Sequence, residues 1–510
     1  MGQYIRKADE YDVLIVAEGT FPYVKGGVSS WIYQLITGLK ELKFGVVFLG
    51  SRPEDYGSIE YNLPDNLVHL EVHYLFSELS KPVVEKIKYD ENSLKTIDLL
   101  HKWFKNKETF EFPDKFKSLD FYNNKIPYKH FLYGESSWEF IVKQYSNNCP
   151  EHSFIDYFWT VRNIHGPIWE ISKIAENIKG FKVIHSPSTG YAGMLGALLH
   201  VETNASFILT EHGIYTRERK IDLLNADWIK DKRTIFQKEL GEVDYLKYLW
   251  VKFFEGIGKI AYSAANPIVS LFNDARNIQI SHGAPPEKTK VIPNGVDVSE
   301  YERLITLRGE EVPKVISLIG RVVPIKDIKT FIKAMRIVVS YFPDVQGWIV
   351  GPEDEDPDYV RECKFLVETL DLEKNVKFLG YQNVKDILPR TGILTLTSIS
   401  EGMPLVIMEA FASGVPAVTT DVGSCRQLIY GGIDEEDIKI GKAGEVVSIA
   451  NPSELAEAYI KILDDENLWR KYQNSAIKRI KKYYTKERFL NSYRELFEEA
   501  ITKWQELALN

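Results

Sequence analysis

Short, wholly apolar runs alternate along this chain with longer stretches whose apolar residues recur at helical spacing. Strands buried on both faces read as unbroken apolar runs, and the helices that cross between them are amphipathic. The alternation therefore predicts an α/β fold built on parallel sheets. Strands are expected at Val13–Ala17, Val46–Leu49, Lys182–His185 and Phe207–Thr210 in the first part of the chain. In the second part they are expected at Val315–Ile319, Trp348–Val350, Val376–Leu379, Ile393–Thr397 and Ala417–Thr419. A helical run, Ser29–Leu39, follows the first strand. Between the two parts lies the turn cluster Pro293-Asn294-Gly295-Val296-Asp297, and after it the charged segment Glu300 to Pro313, which predicts a linker or hinge. The stretch from about Tyr74 to Trp159 breaks the alternation. Rich in Phe, Tyr, Trp and Lys, it predicts a largely helical insertion in the first domain.

Size and charge narrow the function classes. At 510 residues the chain is too long for one core, so two domains or more are expected. With 44% hydrophobic and 26% charged residues it is globular, and a net charge of −9 argues against a general nucleic-acid binder. Three cysteines, Cys149, Cys363 and Cys425, without a CxxC pair suit free thiols in a reducing compartment. The first apolar run is five residues long and ends at Glu18, so it predicts no signal peptide, and no run predicts a membrane span. A cytoplasmic protein is expected.

The most informative chemistry lies in Ser400-Glu401-Gly402-Met403-Pro404-Leu405-Val406-Ile407-Met408-Glu409-Ala410. This stretch follows an expected strand and opens a short helix that ends near Ser413-Gly414. Pro404 suits the first helical position, since its missing N–H has no helical partner there. The helix N-terminus then offers free amides and a positive dipole end to an anion. Helical side chains lean toward the N-terminus, so Glu409, about five residues in or roughly 7–8 Å of rise, points back toward that anion. That separation matches a pyrophosphate and its ribose hydroxyls. Glu401, just before the helix, falls where a sugar would sit. Two solvated acids flanking a strand–helix junction would read the same way in isolation, so the remaining residues decide.

Ligands of open α/β sheets bind beyond the carboxyl ends of the strands. Arg321 follows Val315–Ile319 and Gly320, with Lys326 five positions later, so two cations at one strand end could hold a diphosphate. Lys25-Gly26-Gly27 lies after the first strand and before a helical run, where paired glycines let a backbone approach a ligand. His212, in Thr210-Glu211-His212-Gly213-Ile214-Tyr215, and His185, before Ser186-Pro187-Ser188, both sit at strand ends of one sheet. His212 is the stronger functional candidate, with His185 as a substrate-binding one. Asp354-Glu355-Asp356 matches an Asp-x-Asp metal pattern, but a solvated acidic turn explains it better, so no metal site is expected. The basic stretch from Lys478 to Arg488 reads as a solvated helix face.

Taken together, these motifs resemble the family 4 retaining glycosyltransferases. The resemblance rests on Val291-Ile292-Pro293-Asn294-Gly295-Val296-Asp297, Gly320-Arg321 with Lys326, Gly380 after its strand, and the Glu401/Glu409 pair with seven residues between. Within that family, Phe21 to Trp31 and Thr210-Glu211-His212-Gly213-Ile214-Tyr215-Thr216-Arg217-Glu218 are similar to the branch serving bacterial Pel exopolysaccharide synthesis. The resemblance implies the GT-B architecture, two facing Rossmann-like domains with a cleft between them. It implies an acceptor-side domain at 1–295, a nucleotide-sugar domain at 296–484, and a helix at 485–510 crossing back to the first. Arg321 and Lys326 would bind the diphosphate and Glu409 the ribose. Glu401 with the backbone of Gly402, Met403, Pro404 and Leu405 would hold the sugar and phosphates, with Lys25, Gly26 and Gly27 also on the donor. Tyr381 and Gln382 fall where the base is held, and His212 near the transferred sugar.

Two positions depart from the pattern: Asp327 stands where many relatives have Gly, and Gln427 where many have Glu. The implied reaction is retaining transfer of a hexose or N-acetylhexosamine from a UDP-sugar, with UDP-glucose the first choice, to a growing polysaccharide. No cofactor and no metal are expected. The implied partners are the UDP-sugar, a saccharide acceptor and an inner-membrane polysaccharide synthase complex, placing the protein at the inner face of that membrane. Two rivals share the donor: a nucleotide-sugar epimerase of the same fold, which needs no acceptor, and a non-catalytic nucleotide-sugar-binding subunit.

Overall fold

Each apolar run expected to be a strand is one, with ends within two residues of the expected positions. In a computed structural model the chain divides into two units, one holding residues up to Val269 with Ile278–Lys290 and the segment from Arg494, the other Ser270–Asn277 and Val291–Tyr493. The structure describes residues 3–76, 91–105, 127–226, 229 and 244–509. The first sheet contains β1 (Gln3–Arg6), β2 (Val13–Glu18), β3 (Phe44–Gly50), β4 (Leu67–Tyr74), β5 (Val183–Ser186), β6 (Ser206–Glu211), β7 (Ile268–Ser270) and β8 (Thr289–Val291). Its order is β1-β4-β3-β2-β5-β6-β7-β8, parallel from β4 through β6, with β1 antiparallel at the edge. The second sheet contains β9 (Val315–Ile319), β10 (Gln346–Val350), β11 (Val376–Phe378), β12 (Ile393–Leu396), β13 (Ala417–Thr420) and β14 (Gly444–Val447). It is parallel throughout, in the order β11-β10-β9-β12-β13-β14.

Leaving aside β1 and β8, both sheets follow the doubly wound order 3-2-1-4-5-6. The winding reverses between β2 and β5 in the first and between β9 and β12 in the second. Crevices for ligands open at such reversals, beyond the strands' carboxyl ends. The α/β reading with parallel-dominated sheets is thus borne out in each unit.

Several readings are corrected. The segment Glu300 to Pro313 is no free linker. Val298–Glu302 is helical, Arg303–Ile305 continues as a 3₁₀ turn, and Arg308 is buried, donating to the carbonyls of Ser413, Gly414 and Leu388. A charged segment packs when a long cation within it finds orphan carbonyls at a helix end. Of the basic side chains in Lys478–Arg488 only Arg479 is buried, against Asp437, alongside the buried Ile480, Tyr483 and Tyr484. Strands β1, β4, β7, β8 and β14 were not anticipated. β4 carries His69, Glu71 and His73 on one face and so reads as half-exposed; all three are buried because His73 pairs with Glu71 at 2.9 Å and His69 lies 3.6 Å from it. In the 74–159 stretch, Glu91–Phe104, Tyr128–Tyr133, Glu135–Asn148 and the start of Phe154–Asn177 are helical, while 77–90 and 106–126 lie outside the described residues. Among the described residues no helix is long and apolar enough to cross a membrane.

The departure at Asp327 has a physical explanation. Its backbone is left-handed (φ 45°, ψ 53°), where glycine is the easy choice and Asp the next. Asp327 also caps the Ile328–Tyr341 helix, accepting from the Thr330 amide at 3.3 Å and its hydroxyl at 2.6 Å. Glycine would give up the cap and relieve the backbone; alanine would give up the cap and keep the strain. Chemical denaturation should therefore show Asp327→Ala destabilised by about 1–3 kcal/mol and Asp327→Gly by under about 1 kcal/mol.

Candidate active site

The second unit's crevice is built by the loops after β9 and β12. These loops are stitched together: Thr397 donates to the Lys326 carbonyl at 2.7 Å, and the Ile399 amide to the Ile325 carbonyl at 2.9 Å. Lys326 Nζ is ion-paired with Glu401 Oε1, which also accepts from the Ser398 hydroxyl at 2.5 Å. Lys326 and Glu401 therefore meet at one point. The chain beyond is clamped from below, where Gly423 has φ 52° and an added Cβ would come 2.2 Å from the Gly402 oxygen. The Ser424 amide donates to that same oxygen at 2.9 Å, and the Asn294 amide meets Met403 Sδ at 3.3 Å.

Pro404 is the N-cap of the Leu405–Ala412 helix, in an extended conformation, and not its first helical residue. No side chain caps this end, so the opening amides of Leu405 and Val406 have no helical carbonyl to reach. Glu409, on the second turn, accepts from the Tyr301 hydroxyl at 2.9 Å. Burial raises its pKa above the ordinary carboxylate value, against the opposing effects of Tyr301 and Lys385.

Arg321 stands apart from this pair. Its guanidinium lies 2.7 Å from Glu355, and both side chains are more than half exposed. Exposed pairs of this kind are worth about 0–1 kcal/mol, so a diphosphate could displace Glu355 at small cost. Asp356 caps the Pro357–Thr369 helix through the Tyr359 amide at 3.0 Å. Two members of the acidic triplet thus have structural partners, and among the described residues no group of His, Cys, Asp and Glu is arranged to hold a metal ion. Tyr381 follows Gly380 (φ 63°) at the end of β11 and is 81% exposed, and Gln382 donates to the Leu379 carbonyl at 2.8 Å. Gln427 bridges the Asn273 amide and the Tyr484 hydroxyl, a packing role.

In the first unit the strand ends enclose a pocket of about 450 Å³, lined among others by Glu18, Tyr56, Phe76, Tyr191, His212 and Tyr215. His212 follows β6, and neither ring nitrogen has a hydrogen bond of ordinary geometry. Burial lowers its pKa to about 4, with the Pro187 carbonyl pulling the other way, so the ring is neutral at neutral pH. The Trp31 ring abuts it edge-on at 4.6 Å. Buried polar atoms without partners are rare, and these sit beside a pocket where a ligand hydroxyl could complete them.

His185 is corrected. It is fully buried, sharing a 3.0 Å hydrogen bond with Thr210 and wedged between Trp31 and Phe497. It packs edge-on against Trp31, whose ring also meets His212. Lys25 is exposed and pairs with Glu60 at 3.0 Å. Gly26 and Gly27 open the Gly27–Gly38 helix, and a Cβ at either would meet nothing within 4 Å, so internal packing does not require them.

Glu18 was missed. It ends β2 at the first sheet's reversal, accepting from the Ala192 amide at 2.9 Å and the Tyr215 hydroxyl at 3.0 Å, with Arg219 donating to Tyr215 at 3.3 Å. Burial raises its pKa. The available signal was a carboxylate closing an apolar strand, which served only to mark where the run stopped.

Known proteins place this geometry in context. Residues 11–287 match the family model described as a domain of unknown function (DUF3492), and residues 306–482 match glycosyl transferases group 1. The chain is 26% identical over 237 residues to an Escherichia coli UDP-Gal:alpha-D-GlcNAc-diphosphoundecaprenol alpha-1,3-galactosyltransferase, covering 44% of this chain and 56% of that protein. It is 27% identical over 245 residues to the phosphatidyl-myo-inositol mannosyltransferase of Mycolicibacterium smegmatis, covering 46% and 58%. The chain thus spans about half the length of the curated relatives it matches. The fold is similar to Anabaena Alr3699/HepE in complex with UDP, with TM-score 0.60 and 15% identity over 96% of this chain and 100% of that one. It is also similar to the sucrose-phosphate synthase of Thermosynechococcus elongatus, with TM-score 0.57 and 15% identity over the same shares. The fold is GT-B, and the chain belongs to the DUF3492 family, its second unit carrying a domain of glycosyl transferases group 1.

Proposed function

We propose that the protein is a retaining glycosyltransferase that moves a hexose or N-acetylhexosamine from a UDP-sugar, UDP-glucose being the first choice, to a growing Pel-type exopolysaccharide. The observation that carries this reading is the uncapped Leu405–Ala412 helix end with the Lys326–Glu401 pair at its mouth. UDP bound to Alr3699/HepE and the UDP-sugar named for the Escherichia coli relative support the choice of donor. The Pel assignment rests on the resemblance of Phe21–Trp31 and Thr210–Glu218 to the Pel branch.

In this reading the diphosphate takes Lys326 from Glu401 and Arg321 from Glu355. Glu401 is then released to accept from sugar hydroxyls, so donor binding itself arms the sugar site. As the anomeric carbon–oxygen bond breaks, its electron pair leaves with UDP, and Lys326, Arg321 and the helix amides stabilise that charge without reorganising. The acceptor oxygen forms its bond on the face UDP vacates, and its proton passes to a departing phosphate oxygen. His212, neutral, donates to a sugar hydroxyl. These cations leave no step that needs a metal. A complex with membrane-bound synthase subunits, at the inner face of the inner membrane, would take up the product.

Incubating the protein with UDP-glucose or UDP-N-acetylhexosamines and a short oligosaccharide tests this. The reading predicts acceptor-dependent UDP release and an α-linked product by NMR. Conversion of the donor alone would instead indicate an epimerase, and binding without turnover a non-catalytic subunit.

Glu409 sets a pH dependence. An acid whose pKa is raised takes up its proton earlier on acidification, and a protonated carboxyl accepts ribose hydroxyls less well. UDP affinity should therefore fall on acidification, beyond the loss from protonation of UDP's own terminal phosphate (pKa about 6), by up to about tenfold per pH unit below that raised pKa. Calorimetry between about pH 5 and 7.5 checks it, with Glu409→Gln expected to bind weakly and to keep only the phosphate's own pH dependence.

A further inference from the structure

The Tyr215–Asn225 helix presents two chemically different faces. Tyr215, Glu218 and Arg219 line the pocket that holds His212. Thr216, Arg217 and Lys220 line a second recess, of about 350 Å³, closed opposite by Glu255 and Lys259 of the Tyr245–Ala264 helix and by His282. The two helices approach closely at its floor, where a Cβ on Gly258 would come 2.8 Å from the Thr216 methyl. His282 is fixed there by a 3.1 Å hydrogen bond to the Thr216 hydroxyl.

The charges around this recess do not balance. Glu255 is already paired with Lys252 at 2.7 Å. Among the described residues, Arg217, Lys220 and Lys259 have no ion-pair partner, although every one of them lines the space. Their fields converge. After burial, the leading cause, all three push His282 below its ordinary pKa, against Glu255. Unneutralised cations spread over a flat surface are ordinary, but three directed into one concave space bounded by two helices form a receptor for negative charge. Its volume lies within the roughly 300–1,000 Å³ of small-molecule sites and exceeds what a bare phosphate needs.

We propose that this recess binds a phosphate-bearing anion, with Arg217, Lys220 and Lys259 holding its oxygens. The site lies on the far face of a helix whose near face carries the Tyr215–Glu18 hydrogen bond, so an occupant would brace that helix from behind. Thr216 and Arg217 belong to the Thr210–Glu218 motif, yet the transfer chemistry uses neither.

The test is a calorimetric titration of pyrophosphate into the full chain saturated with UDP, which takes the second unit's helix end out of the comparison. The proposal predicts one further binding event, weakened roughly tenfold or more in Lys220→Gln/Lys259→Gln, with UDP affinity unchanged. Should UDP not bind at all, dependence on Lys220 and Lys259 still reports this recess alone. No pyrophosphate binding, or equal binding by the variant, would overturn it. Both lysines are exposed, so the variant should fold; Arg217→Gln gives a second, independent readout. Sedimentation with phosphatidylglycerol vesicles, against phosphatidylcholine ones, separates the sources. Lysine-dependent pelleting assigns the anion to a lipid headgroup, and its absence alongside pyrophosphate binding assigns it to a soluble phosphate.

Discussion

Lys326→Ala is expected to lower turnover by roughly 10²–10³-fold while weakening UDP-glucose affinity by less than about tenfold. The asymmetry follows from where the lysine stands. Its charge is paired with Glu401, and part of what it offers to a bound diphosphate replaces that pairing. Only when the sugar–phosphate bond breaks does a full additional negative charge develop beside it, and only then is the cation irreplaceable. Single-turnover kinetics with UDP-glucose, alongside equilibrium titration of the intact donor without acceptor, separates the two effects. Equal losses in both would make Lys326 a plain binding residue. Glu401→Gln provides the converse: it frees Lys326, so UDP should bind as well or better while transfer falls.

The second large effect is structural. Asp437 and Arg479 are both fully buried, joined at 2.7 Å, and nearly every remaining valence is met. Asp437 Oδ2 accepts from the Gly432 and Ile433 amides, and Arg479 reaches the carbonyls of Leu428, Ile429, Asp437 and Gly441. This network ties the connection between β13 and β14 to the Glu466–Tyr483 helix. Asp437→Ala leaves a guanidinium buried without its counter-charge, at a cost of about 3–5 kcal/mol. For a unit of this size that is a fall of roughly 6–20 °C in its melting transition. The two units need not melt together, so calorimetry should show the second unit's transition moving and the first unit's staying. Hydrogen exchange over residues 425–447 should accelerate in parallel. A shift below about 1 kcal/mol would mean that water or a neighbouring group satisfies Arg479 in the variant.

Physical reach decides how much of this was legible in the sequence. Strands such as Val13–Glu18 and Val315–Ile319 are buried over most of their length, so the local composition announces them. β4 hides because its polar residues satisfy one another across alternate positions, a contact that periodicity counts as solvent exposure. The stretch from Glu401 to Glu409 was legible because strand, loop and helix are contiguous. What surrounds it was not: Tyr301 bonds Glu409 from 108 positions away, and Glu355 holds Arg321 from 34. Likewise His185 and His212 look equivalent as strand-end histidines. Only the packing of Trp31 and Phe497 separates the buried one from the one beside the pocket. Glu300 to Pro313 shows the same limit, since nothing local reveals that Arg308 will find the end of the Leu405–Ala412 helix.

The central claim is that the Leu405–Ala412 helix end and Glu409 form a nucleotide cradle. Calorimetric titration with UDP, GDP and ADP, with and without magnesium, on the wild type and Glu409→Ala, tests it most directly. The account predicts selective UDP binding that is indifferent to magnesium and falls at least roughly tenfold in the variant. Binding of none of the three, or binding that requires magnesium, would contradict it and return attention to the carboxylates of Asp354, Glu355 and Asp356.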